Sequence, residues 1–218
     1  MPLSAAGRFA RRAPYERAFV AQVLQLTQMG YDRLPPSRLA GAEETDITGE
    51  LKRAIREAIE DQNSPDWVAC YEVAEEVYLN TPGRLGKCRR RVDIEFVRVG
   101  RGLRPRFQFE AKRLHDSSSV SAYLGEDGLG CFFAGKDAYA AGHPQAGMLG
   151  YVQTETETAW ADRIATRLMS TPSTLSVQRG TSWGTYPAAR GPKYVFTTHH
   201  GRTGAGPIVI YHVFLLFC

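Results

Sequence analysis

The sharpest two-residue alternation in the chain runs through "VDIEFVRV" and "RFQFEAK". Val92, Ile94 and Phe96 fall on one face with Asp93 and Glu95 on the other; Phe107, Phe109 and Ala111 then oppose Gln108, Glu110 and Lys112. "GRGLRP" between them reads as a turn, so the pattern predicts two strands of a hairpin. Upstream the apolar period is near 3.6. "PYERAFVAQVLQLTQMG" predicts a helix over 14–29, with Pro14 in its first turn and Gly30 as its stop. "EETDITGELKRAIREAIEDQ" predicts a second, with Ile47, Leu51, Ala54, Ile55, Ala58 and Ile59 as its buried stripe.

Between that helix and the hairpin, "WVACYEVAEEVYL" fits a strand, or a short helix followed by a strand. After the hairpin, "HDSSSVSAYLGEDGLG" reads as a polar loop, "CFFAGKDAYAAG" as a short helix, "AGMLGYVQ" as a buried strand and "ETETAWADRIATRLM" as a helix. Residues 171–193 are turn-rich. "KYVFTTHH" and "PIVIYHVFLLFC" predict a closing strand pair at about 193–217. Alternating helices and strands give an α/β class, and 218 residues with 43% hydrophobic content suit a single domain over 1–218.

Charge changes this picture more than composition does. The net charge is only +4, but residues 84–113 hold eleven basic side chains against three acids, a local excess of 11 − 3 = +8, leaving 4 − 8 = −4 for the rest. Counterion release from a phosphate backbone rewards such a concentrated cationic region. Arg89, Arg90 and Arg91, with Arg113 next, are the candidate phosphate contacts. Four cysteines without a CxxC pair predict thiols in a reducing compartment and no structural zinc. No apolar run is long enough to span a membrane, and no signal-peptide core follows the basic first dozen residues, so the expected location is cytoplasmic.

Side chains two apart on a strand share a face, so Glu110 and Lys112 emerge together. Pairing through the turn brings Asp93 beside them. Two converging carboxylates stay ionised together only around a cation, and an oxygen-only donor set suits Mg²⁺ or Mn²⁺. With Lys112 to orient a water or help deprotonate it, the set is suited to phosphodiester hydrolysis.

Asp93, a spacer of sixteen residues and "EAK" at 110–112 resemble the core of the PD-(D/E)xK nuclease superfamily. The order "EETDITGELKRAI", "RVDIEFVRV", "RFQFEAKRL", "CFFAGKDAYAAG", "MLGYVQ" follows that family's plan over about 40–165. Val92 stands where the motif has proline. The resemblance implies a restriction-endonuclease-like core, with a central mixed sheet of four to five strands flanked by helices. It further implies a Mg²⁺-dependent endonuclease with Asp93 and Glu110 as metal ligands, Lys112 as the catalytic lysine and a glutamate from the preceding helix. Counting about 100° per residue from Ile47, the apolar stripe spans about −20° to 120°; Glu44 falls near 60°, inside it, while Glu43 and Glu50 lie on its border near −40° and −60°. Glu44 is therefore first choice, with Glu50 its substitute should Thr45, Asp46 or Thr48 cap the helix. The implied substrate is nucleic acid, DNA ahead of RNA. With no recognisable sequence-reading module, a protein partner or homodimer would supply target choice, as for the effector subunit of a bacterial defence or DNA-processing assembly. The alternative is a non-catalytic nucleic-acid-binding or assembly subunit that keeps the fold.

Other candidates are weaker. His199 and His200 point oppositely on a strand, so at most one of them could join His212 or His143. Ser117, Ser118 and Ser119 near His115 and Asp116 lack a nucleophile elbow. "GEDGLG" lacks the lysine and hydroxyl of a phosphate-binding loop. Tyr123, Phe132, Phe133 and Tyr139 read as core.

Overall fold

The computed structural model describes residues 5–74, 77–78, 91–100, 104–133, 139–140, 142–172, 175, 177–178, 183–202 and 205–218. Among these residues four helices, α1 (Ala5–Tyr31), α2 (Glu44–Glu60), α3 (Ser119–Leu124) and α4 (Glu157–Ser170), accompany nine strands. The strands are β1 (Tyr71–Ala74), β2 (Val77–Tyr78), β3 (Arg91–Val92), β4 (Ile94–Arg98), β5 (Arg106–Leu114), β6 (Gln145–Val152), β7 (Gly184–Thr185), β8 (Tyr194–Arg202) and β9 (Ala205–Leu216). Seven of them form one mixed sheet in the order β1-β4-β5-β6-β9-β8-β7, and β2 and β3 make a separate ribbon. β5 with β6 and β6 with β9 are parallel; the other pairs in the sheet are antiparallel.

The α/β class stands, but the sheet is larger than the expected four to five strands. The reason lies in the C-terminal pair. β9 docks in parallel register beside β6, from Gln145↔Val209 to Val152↔Leu216, so β7, β8 and β9 widen the central sheet. Residues beyond 165 are thus integral to the core. A strand covered on both faces reads as a continuous apolar run, which is the character of "PIVIYHVFLLF".

One face of the sheet packs on α1 and α2, through Val23, Leu24, Ile47, Leu51 and Ile55 against Phe96, Phe107, Phe109 and Tyr151. The other packs on α3 and α4, through Tyr123, Trp160, Ile164 and Leu168 against Met148, Ile210 and Phe214. Gly30 does more than stop a helix. A Cβ there would lie 2.4 Å from Ile55 Cγ1, so its bareness sets the close approach of α1 to α2. α1 also begins nine residues before Pro14, the proline lying inside it; the flanking Ala- and Arg-rich run has the helix propensity to carry the chain past that break.

Two further expectations change. The helix between β5 and β6 falls at Ser119–Leu124, in the stretch read as loop, while "CFFAGKDAYAAG" holds the end of a 3₁₀ turn (Leu129–Phe132) and otherwise lies partly outside the described residues. Asp116 Oδ1 accepts the backbone N–H of both Ser118 and Ser119, so the Asp-Ser cluster forms the turn that leads into that helix. Val92 is buried with the α3–α4 layer and not with Ile94 and Phe96, because the chain bends at Asp93 and the strict alternation breaks there.

Candidate active site

The register Ile94↔Phe109, Glu95↔Gln108, Phe96↔Phe107 confirms the hairpin, and its pairing ends at Ile94. Upstream of the bend at Asp93, β3 turns aside to pair with β2. β5 continues to Leu114, so among the described residues its last positions face no strand on that side. An unpaired buried backbone group is costly. Two carboxylates take the place of the absent strand: Ala111 N–H donates to Asp93 Oδ2 at 2.8 Å, and Arg113 N–H donates to Glu44 Oε2 at 3.2 Å. Sheet geometry thereby draws both acids to one stretch of β5.

Lys112 joins them. Its Nζ donates to Glu110 Oε1 at 2.8 Å, to Glu44 Oε1 at 3.1 Å and to the carbonyl of Ala111 at 2.7 Å, an ammonium seated among three oxygens. Glu110 is 6% exposed, and its second oxygen, Oε2, is buried without a hydrogen-bond partner. Burial first, and then the charge of Asp93, push the Glu110 carboxyl up to about 8 against the pull of Lys112. Burial disfavours the Lys112 ammonium, but the charges of Glu110, Glu44 and Asp93 outweigh it and hold its pKa above the ordinary lysine value. Lys112 is therefore a donor at neutral pH and not a base. Beneath the site Thr48 Oγ1 and Tyr151 OH share a hydrogen bond of 3.0 Å.

The structure thus brings together Asp93, Glu110, Lys112 and Glu44. α2 begins at Glu44, with Glu43 before it making no side-chain cap, so neither Thr45 nor a later residue caps the helix. Glu50 is turned away in an ion pair with Arg53. Glu95 leaves the polar face it was expected to share with Asp93; it is buried against Arg106 and Gln108. Of the candidate phosphate contacts, Arg89 and Arg90 lie outside the described residues. Arg91 is exposed beside Asp93. Arg113 is engaged by Glu43 and the carbonyl of Ala42, where it fastens the start of α2. His200 and His212 lie in the α3–α4 layer, linked through Thr198, and among the described residues they belong to no metal cluster.

The donor chemistry fits a hard divalent ion. Among the described residues no group of three or more His, Cys, Asp or Glu side chains is arranged to hold a metal as it stands. Mg²⁺, however, is commonly held by one or two carboxylates with water completing the shell, and the partnerless Glu110 Oε2 is a buried oxygen that a cation would satisfy. Both oxygens of Glu44 are already engaged, by Lys112 and Arg113 N–H.

One side chain of this region went unnoticed in the sequence. Lys52, eight residues after Glu44 on α2, lines the cleft beside Asp93. The spacing i, i+4, i+8 from Glu44 through Thr48 was the available signal. Compared with protein-family models, with curated proteins and with solved structures, the chain matches none.

Proposed function

We propose that the protein is a Mg²⁺- or Mn²⁺-dependent nuclease that hydrolyses phosphodiester bonds, with DNA as the first substrate to test. The observation that carries this reading is the convergence of Asp93, Glu110, Glu44 and Lys112 on the open side of β5, with a buried carboxylate oxygen lacking a partner. The order α2, β1, β4, β5, α3, β6 also supports the likeness to the PD-(D/E)xK plan inferred from the motif.

Asp93 and Glu110 would hold the ion, which supplies Lewis acidity toward a phosphoryl oxygen and lowers the pKa of a water. Glu44 keeps Lys112 in place and closes the edge of β5. Lys112, as an ammonium, would offer a hydrogen bond to the attacking water or to the developing charge on phosphorus by exchanging one of the three oxygens it now holds. Asp93 is itself oriented by Ala111 N–H, so its free oxygen points where the β5 edge directs it.

The test is incubation of the purified protein with plasmid DNA, single-stranded DNA and RNA in Mg²⁺, Mn²⁺ or EDTA, beside Glu110→Ala and Lys112→Ala. Metal-dependent cutting that both substitutions abolish is the expected result. Binding without cutting in any metal, with and without co-purifying partners, would replace this reading by a non-catalytic subunit that keeps the fold.

A further inference from the structure

A cavity of about 150 Å³ opens beside Asp93, lined by Glu44, Thr45, Thr48 and Lys52 of α2 and by Arg91 of β3. Glu44, Thr48 and Lys52 recur at i, i+4 and i+8 and so share a helix face; side chains lean toward the helix N-terminus, which carries the Lys52 stem back along the cleft toward Glu44. The other described cations around the site are engaged: Lys112 by Glu44 and Glu110, Arg113 by Glu43, and Arg53 by Glu50 and Glu57, and Arg91 too has a partner. Lys52 is half-buried and makes no hydrogen bond or ion pair among the described residues. A half-buried ammonium that lines a cleft and bonds to neither of the carboxylates there, Glu44 and Asp93, has its donors open to an anion.

We propose that this cleft is a backbone-phosphate subsite, in which Lys52, with Arg91 on the facing wall, takes the phosphate next to the one that is cut. The proposal rests on the nuclease reading and names how the substrate strand is led to the carboxylates. Size agrees. At about 150 Å³ the cavity holds several waters and so has room for one phosphodiester group. Charge agrees as well. The carboxylates on its wall are held by donors of their own, Asp93 by Ala111 N–H and Glu44 by Lys112 and Arg113 N–H, and a divalent ion beside Asp93 would make the cleft cationic. Contact through phosphate carries no sequence information, so the subsite would position a strand without choosing it.

The experiment is fluorescence-anisotropy binding of two labelled single-stranded DNA oligonucleotides of unrelated sequence, in Ca²⁺, over a range of salt. Wild type is compared with Lys52→Gln and Lys52→Arg, and thermal melts verify that each is folded. One single-strand phosphate contact contributes a slope of about 0.7 in log K against log salt, or roughly fivefold in affinity at 0.1 M relative to 1 M. Lys52→Gln is expected to lose about that much, equally for both sequences, with a correspondingly shallower salt dependence, and Lys52→Arg to retain most of it. Where cutting is measurable, the loss should appear in KM and not in kcat. Wild-type affinity and salt slope in Lys52→Gln would overturn the subsite and leave the nuclease reading standing; a Lys52 effect on binding in a protein that cuts under no metal would do the reverse. Absence of binding by the wild type would overturn the subsite outright.

Discussion

Replacing Thr198 by valine is expected to cost stability out of proportion to the one oxygen it removes. Thr198, His200, His212 and Tyr123 are all fully buried. His200 Nδ1 lies 2.8 Å from the carbonyl of Leu175, which can only accept, so Nδ1 carries the proton and Nε2 accepts. Thr198 Oγ1, 2.6 Å from that Nε2, must therefore donate to it. Its single proton spent, the hydroxyl accepts from His212 Nε2–H at 2.8 Å, and His212 Nδ1 in turn accepts from Tyr123 OH at 3.1 Å. Each bond in this chain fixes the direction of the next. Valine preserves the shape and strips two buried groups of their partners, an acceptor on His200 and a donor on His212. At about 1–3 kcal/mol per stranded group the cost is about 2–6 kcal/mol, and with about 2–4 °C per kcal/mol for a domain of this size, Tm should fall by at least about 4 °C. Urea denaturation at pH 7.5 and a thermal melt measure it, and Thr198→Ser, which keeps the hydroxyl, should recover most of the loss. A valine variant within about 0.5 kcal/mol of wild type would refute the directional chain.

The same histidines predict an acid-sensitive fold. Burial is the main cause that lowers His200 to about 4, and it lowers His212 well below the usual histidine value. An unfolded imidazole takes its proton near 6.5, so between pH 6.5 and 4 the unfolded chain binds more protons. Stability should therefore be full above pH 7 and fall as pH drops through that window, by roughly 3 kcal/mol for His200, as urea midpoints at stepped pH would show; a midpoint that stays flat down to pH 4.5 contradicts it. Gly147→Ala would place a Cβ 2.2 Å from Phe109 Cε1, and overpacking of this kind costs about 1–3 kcal/mol, read as a lowered Tm. Asp93→Asn and Glu110→Gln should each lower any Mg²⁺-dependent cleavage by about 100-fold or more and weaken Mn²⁺ binding by calorimetry; Glu50→Gln should leave both unchanged.

The α/β class, the hairpin with Glu110 and Lys112 on one strand, and α2 with its buried stripe were all legible in the sequence, because each rests on local periodicity that a backbone must obey wherever the strand or helix sits. Candidates for the site were legible for the same reason: two residues apart on a strand is a geometric statement. The choice of Glu44 over Glu50 was half legible, since helical angle favoured it, but its engagement by Arg113 N–H needed the neighbouring strand. Tertiary structure alone decided the rest. That Asp93 stands at a bend, where pairing ends and a carboxylate replaces a strand, depends on where β3 departs. The position of β9 beside β6 sets the width of the sheet, and a pairing between residues some sixty positions apart leaves no mark in local pattern. Lys52 became notable only once α2 lay across the open side of β5, because whether an ammonium faces water or a cleft is a property of its neighbours and not of its place in the chain.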